Sequence, residues 1–192
     1  MSDQVTRGAA RVATLVSIPA ALLAGVLVFW LLGGAGAGSA GSTPTASPSS
    51  SRPQATTPVE MAAPPLSERE EVVCRALLSQ LPRTLRDLPQ RPVTAGAEQN
   101  AAYGDPPITI ACGGEPADVP LDALLWRMSH VCWYAEEHPD YSVWTAVDRE
   151  VPVRVTVPAE YEGPGEWANE FSSTLVATVF SKSAEDLPTG CR

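Results

Sequence analysis

Val151-Pro152-Val153-Arg154-Val155-Thr156-Val157 places a valine at every second position. Successive side chains of a strand point to opposite faces of a sheet, so this pattern predicts a β-strand with one apolar face. Pro152 cannot donate a hydrogen bond to a neighbouring strand, and the strand is therefore expected at a sheet edge there or to start after the proline. The stretch indicates a sheet that buries one of its faces.

Three other runs extend the β-rich pattern. Apolar and polar side chains alternate in Ile108–Cys112, and residues 131–135 and 142–147 are rich in β-branched and aromatic residues. The polar stretch Asp148-Arg149-Glu150 lies between two strands and predicts a hairpin. Residues 121–128 carry apolar residues at helical spacing and predict a short helix.

Helices are expected at both ends of the foldable region. Ser67-Glu68-Arg69-Glu70 has the form of a capping box, in which the serine caps the helix and Glu70 reaches back to it. An apolar stripe follows it, and Pro82 ends the helix. A final helix is predicted from about Gly165 to Lys182, because one apolar face recurs every four residues: Trp167, Phe171, Leu175 and Val179. The order of elements predicts an α+β fold, in which a small antiparallel sheet packs against two helices.

The four cysteines all follow residue 66. An even number of cysteines in an exported domain is typical of disulfides, whereas a zinc site would need closely spaced pairs. Three pairings are possible. We predict Cys74–Cys191, which would join the two ends of the domain, and Cys112–Cys132, which would join neighbouring strands.

The N-terminal region predicts a membrane anchor. Residues 12–32 are an uncharged and mostly apolar run, long enough to cross the hydrocarbon core of a bilayer as a helix. Arg7 and Arg11 precede it and favour a cytoplasmic N-terminus for the stub at residues 1–11. The alternative is a cleaved signal peptide, for which Ala35-Gly36-Ala37 has the form of a cleavage site. The first reading predicts a single-pass membrane protein and the second a secreted one.

A linker is expected between the anchor and the domain. Residues 33–66 consist almost entirely of Gly, Ala, Ser, Thr and Pro, with no aromatic residue. Such a segment buries too little apolar surface to offset its loss of conformational entropy, so we expect it to be disordered. Residues 67–192 then form a single extracytoplasmic domain.

The charge of the chain restricts its partners. Its formal net charge is −9, which does not suit a nucleic-acid-binding surface. The apolar run at residues 12–32 makes the membrane one expected partner, and the exported position of the domain makes an envelope protein or cell-wall component the other. No nucleic acid is expected.

Several segments together resemble a known group of proteins. They are Tyr103-Gly104-Asp105-Pro106-Pro107-Ile108, Cys112-Gly113, Trp133-Tyr134-Ala135-Glu136-Glu137, Arg149 and Val153–Pro158. With Cys74 they resemble a family of actinobacterial membrane-anchored or secreted proteins, and the likeness extends from Val73 to about Tyr161. The resemblance implies a single anchor, an exported domain without an assigned function, and no known enzymatic activity.

The polar and aromatic members of the resembled motif are the candidate binding residues. They are Tyr103, Asp105, Trp133, Tyr134 and Arg149. Gly104-Asp105-Pro106-Pro107 also has the composition of a turn, so these residues could instead hold the fold together.

Metal binding and catalysis receive little support from the sequence. Glu136-Glu137-His138-Pro139-Asp140 is the best metal-like cluster, but it is more typical of a solvated acidic loop. His130 has no nucleophile at recognisable spacing. We expect no cofactor, no metal and no catalytic residue. Two hypotheses for function remain: a non-enzymatic binding or structural module of the cell envelope, and an envelope enzyme resembling a wall hydrolase.

Overall fold

The computed structural model describes residues 55–192 and arranges their strands in one antiparallel sheet. The strands are β1 (Thr84–Leu85), β2 (Leu88–Arg91), β3 (Asn100–Tyr103), β4 (Ile108–Cys112), β5 (Leu125–Met128), β6 (Val131–Glu137), β7 (Tyr141–Ala146) and β8 (Val153–Pro158). Their spatial order is β1-β2-β3-β4-β8-β7-β6-β5. The observed architecture of sheet and helices agrees with the predicted α+β class.

The valine-rich strand β8 lies in the middle of the sheet, between β4 and β7. It starts at Val153, directly after Pro152, so the proline needs no hydrogen bond within the ladder. Val155 pairs with Ile110 on one side and with Trp144 on the other. Strands β7 and β8 are antiparallel and joined through Asp148-Arg149-Glu150, which confirms the predicted hairpin.

The prediction of a helix at residues 121–128 is wrong. Leu125–Met128 instead forms the edge strand β5, in which Trp126 pairs with Trp133 of β6. A short apolar run is compatible with either structure, and here the pairing with β6 decides it.

Helix α1 (Glu68–Gln80) begins as its sequence predicts. The Ser67 side chain accepts a hydrogen bond from the Glu70 amide, and the Ser67 amide donates to the Glu70 carboxylate at 2.8 Å. The Ser67 hydroxyl also donates to the Glu70 carboxylate at 2.8 Å, and these two donors of Ser67 lower the pKa of the Glu70 carboxyl, the backbone amide more than the hydroxyl.

The predicted final helix is divided in two. Helix α2 (Pro164–Asn169) and helix α3 (Ser172–Thr178) are separated by Glu170 and Phe171, and a short 3-10 turn follows at Thr189–Cys191. The apolar stripe nevertheless stays buried across the break, because Trp167, Phe171, Leu175 and Val179 are at most 9% exposed.

The three helices and the main core lie on one side of the sheet, which we call the helix face. Side chains of neighbouring strands meet there in register, as in the row Cys112, Val153, Ala146 and Trp133. The opposite side, the second face, carries the alternate residues of the same strands, among them Cys132, Tyr134, Thr145 and Arg154.

The disulfides differ from the predicted pairs. The structure joins Cys74 to Cys112 and Cys132 to Cys191, and no cysteine is left free in the described part of the chain. Cys112 faces α1 on the helix face, whereas Cys132 lies on the second face. Their strands β4 and β6 are also three strand spacings apart, roughly 14 Å. The predicted pair Cys112–Cys132 is therefore geometrically impossible. The predicted pair Cys74–Cys191 is also wrong, because Cys74 is bonded to Cys112 and Cys191 to Cys132.

Residues 55–66 precede α1 and pack against the sheet, although the sequence assigns them to the disordered linker. We call residues 57–66 the strap. Its carbonyl oxygens accept hydrogen bonds from three side chains: Thr57 from Arg91 at 2.8 Å, Ala62 from Asn100 at 2.9 Å and Pro64 from Gln99 at 3.3 Å. Val59 is buried and forms a parallel bridge with Val93. The ordered region thus begins before the predicted boundary at Ser67.

The predicted stub at residues 1–11, the predicted span at 12–32 and the linker up to residue 54 lie outside the described residues. Between residues 55 and 192, no helix combines the length and the apolarity that crossing a bilayer requires.

Candidate functional site

The five predicted binding residues do not form one site. Tyr103 and Trp133 lie in the core of the helix face and are fully buried. The Tyr103 hydroxyl donates to the Pro82 carbonyl at 2.8 Å, and burial raises the pKa of Tyr103 to about 12. The indole nitrogen of Trp133 donates to the Ser172 hydroxyl at 3.3 Å. Both side chains therefore hold the sheet to the helices.

Arg149 joins the β7–β8 connection to the segment after α3. One terminal nitrogen donates to the Val179 carbonyl at 3.3 Å and to the Ser181 hydroxyl at 3.0 Å, and the other donates to the His130 carbonyl. Its Nε lies 3.3 Å from the Asp148 carboxylate, and the Arg149 side chain is only 4% exposed. These contacts give Arg149 a role in the fold.

Asp105 and Tyr134 are more accessible but lie far apart in the sheet. Asp105 is in the turn between β3 and β4, where its half-exposed carboxylate lies 3.4 Å from Arg91. Tyr134 lies on the second face and packs with the Cys132–Cys191 disulfide.

The acidic cluster at residues 136–140 is the end of β6 and its turn into β7. The His138 amide donates to the Tyr141 carbonyl, and the two rings stack with centroids 4.5 Å apart. Among residues 55–192, no group of three His, Cys, Asp or Glu side chains is placed to hold a metal ion.

A concave feature lies on the second face, where two irregular segments cover the sheet. One is residues 115–124 and the other is residues 182–190. Between them run two adjoining cavities of about 160 Å³ and 310 Å³, which share Val119 and Pro188. We call this feature the second-face groove. Its floor is a strand, and its C-terminal wall is held to β6 by the Cys132–Cys191 disulfide.

The smaller cavity is the cationic end of the groove. Its two charged lining residues, Arg149 and Lys182, are both cationic. Lys182 is half-buried and donates to the Val147 carbonyl at 3.1 Å. Thr145 rises from the floor, is 1% exposed, and its hydroxyl has no hydrogen-bond partner among the described residues. This end therefore combines positive charge with a buried, free hydroxyl.

The larger cavity is the leucine-lined end of the groove. Leu121, Leu125 and Leu187 contribute to its lining, together with two prolines. Leu121 is fully exposed, and Leu124 beside it is 69% exposed. Exposed leucines that rim a cavity are typical of a surface that binds another molecule.

Sequence reasoning missed Thr145 and Lys182. The sequence contained one signal, since Lys182 is its only lysine. Only the folded arrangement, in which Ser181 forms an isolated bridge with Arg149, places Lys182 on the same cavity as Thr145.

The described residues thus form a disulfide-linked α+β domain with a concave groove on its second face. A family model with the description "Protein of unknown function (DUF3515)" matches residues 16–184. The chain belongs to that family, which agrees with the resemblance seen in the sequence. No curated protein and no solved structure matches the chain.

Proposed function

We propose that this protein is membrane-tethered and extracytoplasmic, and that its folded domain binds a partner in the second-face groove without catalysing a reaction. The location is supported by the cysteines. All four are paired in the two disulfides, and structural disulfides persist in oxidising compartments outside the cytoplasm. The tether is the apolar run at residues 12–32.

The observation that carries the binding role is the construction of the groove. A rigid strand supplies its floor, and the Cys132–Cys191 disulfide fixes its C-terminal wall. Sites held by a rigid scaffold and walled by loops are favourable for recognition, because little conformational entropy is lost when the partner binds. The accessible Leu121 and Leu124 would supply apolar contact area at its rim.

Site-specific photocrosslinking in intact cells tests this proposal. A photoreactive residue at Leu121, which lines the groove, should give a discrete crosslinked product of the full-length chain. The matched control is the same residue at Glu160, which is exposed in the loop after β8 and away from the groove. Equal crosslinking at both positions, or none at Leu121, would contradict a binding role for the groove.

The location is tested separately with a reporter fused after Arg192. A reporter that is active only outside the cytoplasm should be active, and a reporter that requires the cytoplasm should be silent. The opposite result would exclude the extracytoplasmic location. Turnover of a cell-wall fragment by the purified chain would favour the envelope-enzyme hypothesis instead.

A further inference from the structure

The cationic end of the second-face groove has a charge opposite to that of the whole protein. The chain carries a formal net charge of −9, yet the charged residues lining this cavity are Arg149 and the only lysine of the sequence, Lys182. The acidic side chains of the covering segments, such as Glu115, Asp118 and Asp186, are exposed to solvent. A local cationic pocket in an acidic protein favours an anionic ligand.

The hydrogen-bond donors of the cavity are limited in number and well defined. An ammonium group has three donors, and Lys182 uses one of them on the Val147 carbonyl. The Thr145 hydroxyl has no hydrogen-bond partner among residues 55–192, although the residue is only 1% exposed. Both terminal nitrogens of Arg149 donate to protein acceptors, and its Nε lies 3.3 Å from the Asp148 carboxylate without a hydrogen bond among the described residues, so Arg149 contributes mainly positive charge.

The rest of the lining restricts the ligand further. Pro116, Pro152 and Pro188 have no amide hydrogen, and Ala117 and Val119 add apolar surface. A cavity of about 160 Å³ has room for roughly six non-hydrogen atoms. A carboxylate suits the two donors that Lys182 and Thr145 supply to this cavity, and a small alkyl group suits the proline and valine walls.

We propose that the cationic end of the groove binds a carboxylate that carries a small alkyl group, such as the terminal carboxylate of an alanine residue. Lys182 and Thr145 donate hydrogen bonds to the carboxylate oxygens. This inference rests on the proposed binding function of the groove and names the chemistry that the groove recognises. The carboxylate could belong to a small free acid or to the carboxyl terminus of a peptide, whose preceding residues would then extend toward Leu121 and Leu187.

The single lysine makes a direct test possible. Full-length oxidised chain labelled with ¹³C-lysine gives one set of lysine side-chain signals, all from Lys182. Titration with N-acetylalanine should shift these signals to saturation, while N-acetylalaninamide, which has nearly the same shape but no charge, should not. Equal responses to the acid and the amide, or a shift that never saturates, would overturn the proposal.

Two variants locate the site. Thr145→Val keeps the shape of the side chain but removes the hydroxyl, and it should weaken N-acetylalanine binding at least tenfold. Thr156→Val is the matched control, because Thr156 lies on the second face of β8 but does not line the cavity. If Thr145→Val fails to fold, Lys182→Gln, measured by calorimetry, provides the same comparison. Unchanged affinity in the folded Thr145 variant, or in Lys182→Gln, would refute the assigned donors.

A further comparison separates the two sources of the carboxylate. N-acetyl-Leu-Leu-Ala should bind more tightly than N-acetylalanine if the ligand is a peptide terminus, and equally if it is a small acid. The failures are also distinguishable. Crosslinking at Leu121 without any response of Lys182 would leave the binding function standing and remove the carboxylate. A response of Lys182 without crosslinking at Leu121 would leave carboxylate binding at the smaller cavity and remove the proposed partner at Leu121.

Discussion

Replacing Arg149 with alanine should destabilise the domain strongly. The side chain is 4% exposed and donates to Val179, Ser181 and His130, so it holds the β7–β8 connection, the β5–β6 turn and the segment after α3 together. Its removal also leaves the Asp148 carboxylate, which is 13% exposed, without its neighbouring cation.

The magnitude follows from these contacts. Removing one partner of a buried ion pair typically costs about 3–5 kcal/mol, because the remaining charge is left uncompensated. Asp148 retains some contact with solvent, so the lower end of that range applies. We expect the free energy of unfolding to fall by about 3 kcal/mol. Arg149→Lys should recover less than half of this loss, since one ammonium group cannot reach all the acceptors that the guanidinium serves.

Urea unfolding of the oxidised protein, followed by tryptophan fluorescence, measures this loss. Arg127→Ala is the matched control. Arg127 is exposed on the edge strand β5 and makes a single hydrogen bond, to the Arg192 carbonyl at 3.2 Å, so its loss should change stability by less than about 0.5 kcal/mol. If Arg149→Ala costs less than about 1 kcal/mol, the assignment of Arg149 to the fold is wrong, and a role in binding becomes the better explanation.

Three other predictions concern stability. Ser67→Ala should lower the free energy of unfolding by about 1 kcal/mol at pH 7. Because the pKa of Glu70 is lowered in the folded state, the stability that this cap contributes should be lost as the pH falls below the ordinary value of 4.5. Urea unfolding should therefore show a smaller difference between Ser67→Ala and the native protein at pH 3 than at pH 7. Tyr103→Phe should lower the free energy of unfolding by about 1 kcal/mol at neutral pH. Because the pKa of Tyr103 is about 12 in the folded state and 10 ordinarily, the native protein should lose stability above pH 10. Urea unfolding at pH 8 and pH 10.5 should show this loss for the native protein and not for Tyr103→Phe. Replacing Cys132 and Cys191 together with serine opens a loop with a sequence separation of 59 and should cost up to about 4 kcal/mol in thermal and urea unfolding, whereas an unchanged midpoint would contradict the observed pairing.

Local chemistry explains the parts of the fold that the sequence predicted well. The capping box at Ser67 depends on residues three positions apart, and the strand at Val153 depends on alternation within a few residues. Such patterns are complete within one segment, so they can be read without knowing the rest of the fold. The break between α2 and α3 leaves the apolar stripe intact, and periodicity alone therefore could not reveal it.

The disulfides and the groove depend on the order of strands in the sheet, which no single segment encodes. Cys112 and Cys132 look like neighbours along the chain, but β8 and β7 come between their strands, and the two side chains point to opposite faces. Thr145 and Lys182 line one cavity only because the segment after α3 returns beside the β7–β8 connection. The five candidate binding residues were chosen because they are polar or aromatic. Three of them, Tyr103, Trp133 and Arg149, are buried in the structure.

The position of the strap has a mechanical consequence. A pulling force applied to the chain before residue 55 reaches the domain through carbonyl hydrogen bonds and through the parallel bridge between Val59 and Val93. If that attachment yields, the chain can unravel only as far as Cys74, where a covalent bond to Cys112 at the end of β4 passes the load directly into the sheet. The domain thus has a first attachment of hydrogen bonds, which can break, and a second attachment that is covalent. Tension on the N-terminal side would release the strap and lengthen the connection before it unfolded the core.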